Sequence, residues 1–227
     1  MSTNFLTPII LPAGTSSNAP LNLQSGTNLT NATAGALEYD GKVIYSTPAA
    51  RGVSPSMMFY RLESGYLGAN STAAQSLFNV GITLNSQTVY AFDEFFIIRK
   101  TTGSGSHTVS ILFGGTATLN NFAYSAFGSR WESNNANDNT ITGPNPAVAA
   151  YGTATSALAI TGSSAASTRT ISYRVQGTIS VNAGGTFVPQ YQNSTAPGAA
   201  YTTLAGSSFA IWPIGAAGAN TSVGPWA

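Results

Sequence analysis

Few side chains in this 227-residue sequence could carry acid–base or nucleophilic chemistry. The single histidine, His107, follows Gly103-Ser104-Gly105-Ser106 and opens a strand. A histidine acting as a general base needs a nucleophile within reach and a carboxylate to orient it. No G-x-S-x-G elbow occurs in the chain, so the simpler reading is a turn-end histidine satisfied by backbone groups. Asp93-Glu94 is the only adjacent acidic pair. Neighbours on a strand point to opposite faces, so these two carboxylates cannot flank one substrate as a glycosidase pair does. Asp93 shares a face with Arg99, and Glu94 shares one with Lys100; this predicts neutralisation of charge near an interface. The stretch Glu132–Asn139, ESNNANDN, offers two carboxylates and several amide oxygens to a calcium ion. It lacks the glycine and the spacing of a calcium loop and reads as a solvated loop.

The expectation is therefore a protein that is not an enzyme, with no catalytic residue, no cofactor and no metal. Asn-x-Ser/Thr triplets begin at Asn28, Asn31, Asn70, Asn193 and Asn220 and follow from a composition heavy in these residues. Trp131, Tyr151, Tyr191 and Tyr201 could stack on sugar rings, and could equally be core or subunit contacts. Trp131 and Tyr201 stand as the possible glycan contacts.

Charged residues make up 7% of the chain and hydrophobic ones 43%, against a usual charged share of about 25%. Such a surface is clothed in Ser, Thr, Asn and Gly or is covered by other chains. Eight basic against seven acidic residues leave a net charge of +1, so no field steers nucleic acid or an anionic membrane. Cysteine is absent, which removes disulfides, thiolate metal sites and cysteine nucleophiles together. The opening MSTNFLTPIILPAG has no basic residue before its short Ile9-Ile10-Leu11 run and does not have the form of a signal peptide. No stretch approaches the ~20 apolar residues of a membrane helix.

The elements that would position these residues are strands. Thr170–Tyr191 shows the cleanest period: Ile171, Tyr173, Val175, Gly177, Ile179 and Val181 alternate with Ser172, Arg174, Gln176, Thr178 and Ser180. Asn182-Ala183-Gly184-Gly185 follows, which predicts a long antiparallel hairpin. Asp40-Gly41 predicts a second, small hairpin of type I′, with Leu37 facing Ile44 and Tyr39 facing Lys42. Residues 1–35 lack any helix-length pattern and read as an extended arm. Short strands are expected over 56–62, 78–84, 106–113, 147–160 and 208–214, two more within 116–127, and at most one helical turn within 70–78. Thr88–Lys100, TVYAFDEFFIIRK, is apolar on both faces, so it is expected to lie between a core and a second interface. Tyr90, Phe92, Phe96 and Ile98 are the candidates for contact with a sister subunit. Together these signals predict an all-β protein, an antiparallel β-sandwich of jelly-roll type. Residues 1–50 form an N-terminal arm and hairpin, residues 51–227 the sandwich, and the preferred assembly is a homotrimer.

Several stretches carry a resemblance. Ala19-Pro20-Leu21, Ser25-Gly26-Thr27-Asn28-Leu29 and Gly35-Ala36-Leu37-Glu38-Tyr39-Asp40-Gly41-Lys42 resemble the opening segment of virion surface proteins of tailed phages, especially aquatic ones. Ser106–Ala117 and Phe209–Ala216 are similar to the same group, so the resemblance spans most of the chain. The β domain looks like the trimeric jelly rolls of the tumour-necrosis-factor type. The resemblance implies a virion protein made in the host cytoplasm, a homotrimeric capsid decoration protein. Its arm would bind other virion proteins, above all the major capsid protein, through Pro20, Leu21, Leu23 and Leu29. The alternative it implies is a tail-fibre or tail-tip adhesin for host-surface polysaccharide. No nucleic acid or membrane is expected as partner.

Overall fold

The computed structural model describes residues 11–47, 51–54, 56–133, 148–218, 220 and 223. Among these residues every regular element is a strand and every pairing is antiparallel. A small sheet joins β1 (Leu37–Tyr39), β2 (Ile44–Ser46) and β3 (Gly52–Ser54). The remaining strands form two larger sheets. They are β4 (Met58–Arg61), β5 (Tyr66–Leu67), β6 (Gln75–Ser76), β7 (Ile82–Leu84), β8 (Thr88–Lys100), β9 (Val109–Gly114) and β10 (Thr118–Ser133). They continue with β11 (Val148–Gly152), β12 (Leu158–Ala159), β13 (Thr168–Ala183), β14 (Gly185–Asn193), β15 (Thr202–Thr203) and β16 (Ser208–Ala216).

The larger sheet runs β11-β10-β13-β8, beyond which β8 pairs with both β16 and β15, and these carry β4 and β5 at the far edge. The smaller sheet runs β12-β9-β14, with β6 and β7 on the other side of β14. The two sheets face each other as a β-sandwich. Phe92 of the larger sheet lies 5.9 Å from Phe113 and 6.4 Å from Phe187 of the smaller one, centroid to centroid. Phe113 and Phe187 stack at 5.2 Å. Offset and edge-on aromatic pairs of this kind add to the area term that drives sheets together.

The alternation read in β13 is the one that is buried: Ile171, Tyr173, Val175, Ile179 and Val181 all enter the core. The expected hairpin does not form. β13 is hydrogen-bonded to β10 on one side and β8 on the other, while β14 pairs with β9, β6 and β7. A strand with both edges taken has none left for its successor, so the chain crosses to the opposite sheet at Gly184. A Cβ on Gly184 would sit 2.8 Å from the Leu84 carbonyl oxygen, and one on Gly185 would sit 2.7 Å from the Ala117 nitrogen. Close backbone approach, not a hairpin turn, is what these glycines permit.

Other expectations also shift. The Asp40-Gly41 hairpin exists, but Tyr39 pairs with Ile44 and Leu37 with Ser46. Gly41 has φ 89° while Asp40 does not share the positive sign that a type I′ turn demands. The Asp40 carboxylate instead accepts from the amides of Lys42 and Val43, both at 2.8 Å. That Asx arrangement moves the turn one residue onward. β3 pairs with β2, so the small sheet continues past residue 50 to Ser54. Residues 70–78 hold no helical turn, only the two-residue β6. The two short segments expected within 116–127 are one sixteen-residue strand, β10, which carries Glu132 out of the expected loop.

Tyr90, Phe92, Phe96 and Ile98 are core residues, covered by this chain's own second sheet and so unavailable to a sister subunit. Both faces of β8 are apolar as read. The face assigned to a neighbour is the inner one, and Val89, Ala91, Phe95 and Ile97 point outward.

Candidate functional site

Most of the residues with chemical potential meet at one end of the sandwich. Register places Glu132, Arg169 and Lys100 side by side on the inward face of β10, β13 and β8. Arg169 is fully buried, and its Nε lies 2.6 Å from Glu132 Oε1. Its Nη1 donates to the His107 carbonyl at 3.0 Å and its Nη2 to the Gly162 carbonyl at 2.8 Å. Arg130 Nε approaches the same Glu132 oxygen at 3.2 Å, and Ser164 donates its hydroxyl to Glu132 Oε2 at 2.9 Å. Lys100 turns its ammonium onto backbone carbonyls, donating to Gly103 at 2.7 Å and Ala166 at 2.5 Å. Burial holds the Lys100 pKa below its ordinary value, and the Arg169 charge adds to that.

His107 closes this cluster. Its Nδ1 lies 2.6 Å from the Gly105 carbonyl, which can only accept, so Nδ1 carries the proton. Nε2 then accepts from the Tyr201 hydroxyl at 2.8 Å. The ring is fully buried, and burial pushes its pKa below the ordinary 6.5, with Arg169 and Lys100 acting in the same sense. Both nitrogens are engaged and the ring is closed off from solvent, so the geometry fits a structural tie. The carbonyls of Gly103 and Ala166 accept from Lys100, and those of His107 and Gly162 from Arg169, which ties the loops at this end of the sandwich to its strands.

Glu132 is bound into this network and does not face a calcium loop; residues 134–139 of the expected loop lie outside the described residues. No group of three or more metal-ligating side chains occurs among the described residues. Asp93 meets Arg174 of β13, not Arg99: Arg174 Nε donates to Asp93 Oδ1 at 3.0 Å, and Nη2 donates to Oδ2. Glu94 lies on the same face as Lys100, but its side chain is buried between Phe92 and Phe96 in the sandwich core.

Of the aromatic residues weighed for sugar stacking, Tyr191 and Tyr201 are buried and cannot meet a glycan. Tyr201 is held at His107, and Tyr191 donates to Gln75 at 3.1 Å. Trp131 is half-buried on the outer face of β10, and Tyr151 is 70% exposed. Pro20 and Leu21 are exposed, Leu23 is half-buried and Leu29 is exposed. Residues 11–36 contain no strand. Their ties to the small sheet and its flank include Gly26 N to the Tyr39 carbonyl, Leu29 N to Glu38 Oε1, Arg51 Nη2 to the Leu29 carbonyl and, at the segment's end, Gly35 N to the Thr47 carbonyl and Thr47 N to the Ala36 carbonyl. Arg51 and Glu38 form an ion pair at 2.9 Å beneath this crossing. Lys42 Nζ reaches the Gln87 carbonyl at 2.9 Å and links the small sheet to the sandwich.

Two surface features went unread in the sequence. An apolar groove of about 230 Å³ opens between β4 and β7, lined by Met58, Tyr60, Phe78, Val80, Pro189 and Phe209. Its signal was faint, because β4 and β7 are short and the groove forms only where two sheet edges meet. The second feature is a row across the outer face of the larger sheet, Phe127–Arg174–Phe95, aligned by the registers of β10, β13 and β8. No protein-family model matches the chain, and no curated protein matches it.

Proposed function

We propose that the chain is a structural protein of a tailed-phage particle, a homotrimeric capsid decoration protein with a jelly-roll body. Residues 1–50 attach it to the major capsid protein, and the sandwich is presented outward. The observation that carries this reading is the state of the arm. Leu21 is 56% exposed and Leu29 49%, on an uncharged segment tied to the small sheet around Gly26 and Leu29 and, at its end, at Gly35. Apolar side chains displayed in this way suit a segment that is laid on another protein. The antiparallel sandwich and the structural use of His107 and Glu132 agree with a role in building a surface. The test is deletion of residues 1–35. The truncated protein is expected to keep its strand-rich circular dichroism and its oligomeric mass and to lose binding to particles stripped of it; binding that survives removes the proposal.

The second reading is a tail-tip adhesin for host-surface polysaccharide, favoured by the exposure of Tyr151 and the outward placement of Trp131. Tyr201 no longer belongs to it. Adsorption of the purified protein to host cells, lost in a Trp131→Ala/Tyr151→Ala variant, would favour this reading over the first.

A further inference from the structure

An antiparallel sheet with one face on the core ordinarily turns polar residues to water on the other. The larger sheet does so on β13, where Ser172, Arg174, Gln176 and Thr178 point outward. On β8, its central strand, the outward row is Val89, Ala91, Asp93, Phe95, Ile97 and Arg99, apolar at four positions of six, with Val89 already buried. Phe95 is 38% exposed, and Phe127, two strands away in the same row, is 52% exposed. Between them stands Arg174, whose charge is matched by Asp93 and by no other acid within hydrogen-bond reach. Gln176 donates to the same carboxylate at 3.3 Å.

The outward positions of β8, β10, β13 and β16 carry no Lys and no Glu. Aromatic residues and Arg are side chains that the cores of protein interfaces favour. A paired charge is also the kind that can be covered, because its partner offsets part of the desolvation cost. Extent agrees. Six strands from β11 to β4 span about 24 Å at ~4.8 Å each, and Val89 to Arg99 spans about 33 Å along the strand. The product, about 800 Å², is what each partner contributes to a stable specific interface.

We infer that the outer face of the larger sheet, centred on Phe95, Phe127 and the Asp93–Arg174 pair, is where a second copy of this chain docks. A copy is the occupant because the protein is 7% charged throughout. Its own surface therefore supplies a largely neutral, Ser/Thr-rich and apolar counterpart to a face whose charges are the Asp93–Arg174 pair and Arg99 at its end. The inference rests on the reading of the chain as self-assembling and is independent of the arm.

The test is the mass of the full chain by light scattering across a range of micromolar concentrations, for the wild type, Phe95→Lys, Phe127→Lys and Val80→Ser. Both phenylalanines are exposed, so lysine can be carried at these positions by a folded monomer; circular dichroism and a cooperative melt establish that it is. Expected is a wild-type multimer, dissociation at least tenfold easier in either lysine variant, and no change in Val80→Ser, which alters the groove instead. A wild type that is a single chain at every concentration overturns the inference together with the self-assembling reading. A multimer unmoved by both lysines but broken by Val80→Ser overturns the inference alone and places the contact in the groove.

Discussion

Glu94 offers the sharpest quantitative check on this fold. Its side chain is 1% exposed and points into the aromatic core from the middle of β8, flanked on neighbouring strands by Val175 and Phe209. Its Oε1 has no hydrogen-bond partner among the described residues. Burial raises the pKa from 4.5 to about 8, and the nearby Asp93 charge pushes the same way. The folded protein thus holds the proton more tightly than the unfolded chain does. Stability contributed by the neutral acid is fully present below pH 4.5 and is lost as pH rises to about 8. At about 1.4 kcal/mol per pKa unit the loss is about 5 kcal/mol. For a domain of this size that is about 10–20 °C in Tm. Glu94→Gln keeps the shape and removes the titration. Guanidinium unfolding of both proteins at pH 5, 7 and 9 should give curves that nearly coincide at pH 5 and diverge steadily, with the glutamine variant the more stable at pH 9. Effects of other titrating groups cancel in the difference. Parallel pH dependences, or a wild type that gains on the variant as pH rises, would refute a protonated, core-facing Glu94.

Three further outcomes follow from the same structure. The depressed pKa of His107 has the opposite sign: stability present above pH 6.5 is lost as pH falls through the lower folded-state value, and His107→Gln should flatten that acid slope in thermal melts. Arg169→Met removes one ion-pair partner of Glu132 and takes a donor from each of two carbonyls, so it should cost about 3–5 kcal/mol; adding Glu132→Gln should recover part of it in a double-mutant cycle. Gly177→Ala drives a methyl against the Ala123 carbonyl and to 2.8 Å from the Phe92 ring, which should destabilise by about 1–3 kcal/mol in chemical denaturation, with most of the loss in the midpoint.

Strand identity was legible because alternation is local. The inward set of β13, the full extent of β8 and the absence of helix-length periods all come from side chains two residues apart. The backbone-bound role of His107 was legible too, from the glycine-rich turn ahead of it. Arg169 was not singled out, although it continues the apolar set of β13 by one step of two, which is the signal that marks a cation facing inward.

The sequence alone determined an antiparallel β protein with little charge, an uncharged leading segment without a helix-length pattern and one strand greasy on both sides, since these depend on composition and on a period of two. Only the tertiary structure decided which side of that strand faces its own core, that β13 and β14 part into opposite sheets, and that Asp93 meets Arg174 across 81 residues of chain. The physical reason is that alternation reports that a face is covered and carries no information about what covers it. Strand partners are chosen by edges, and edges exist only once the distant strands have come together.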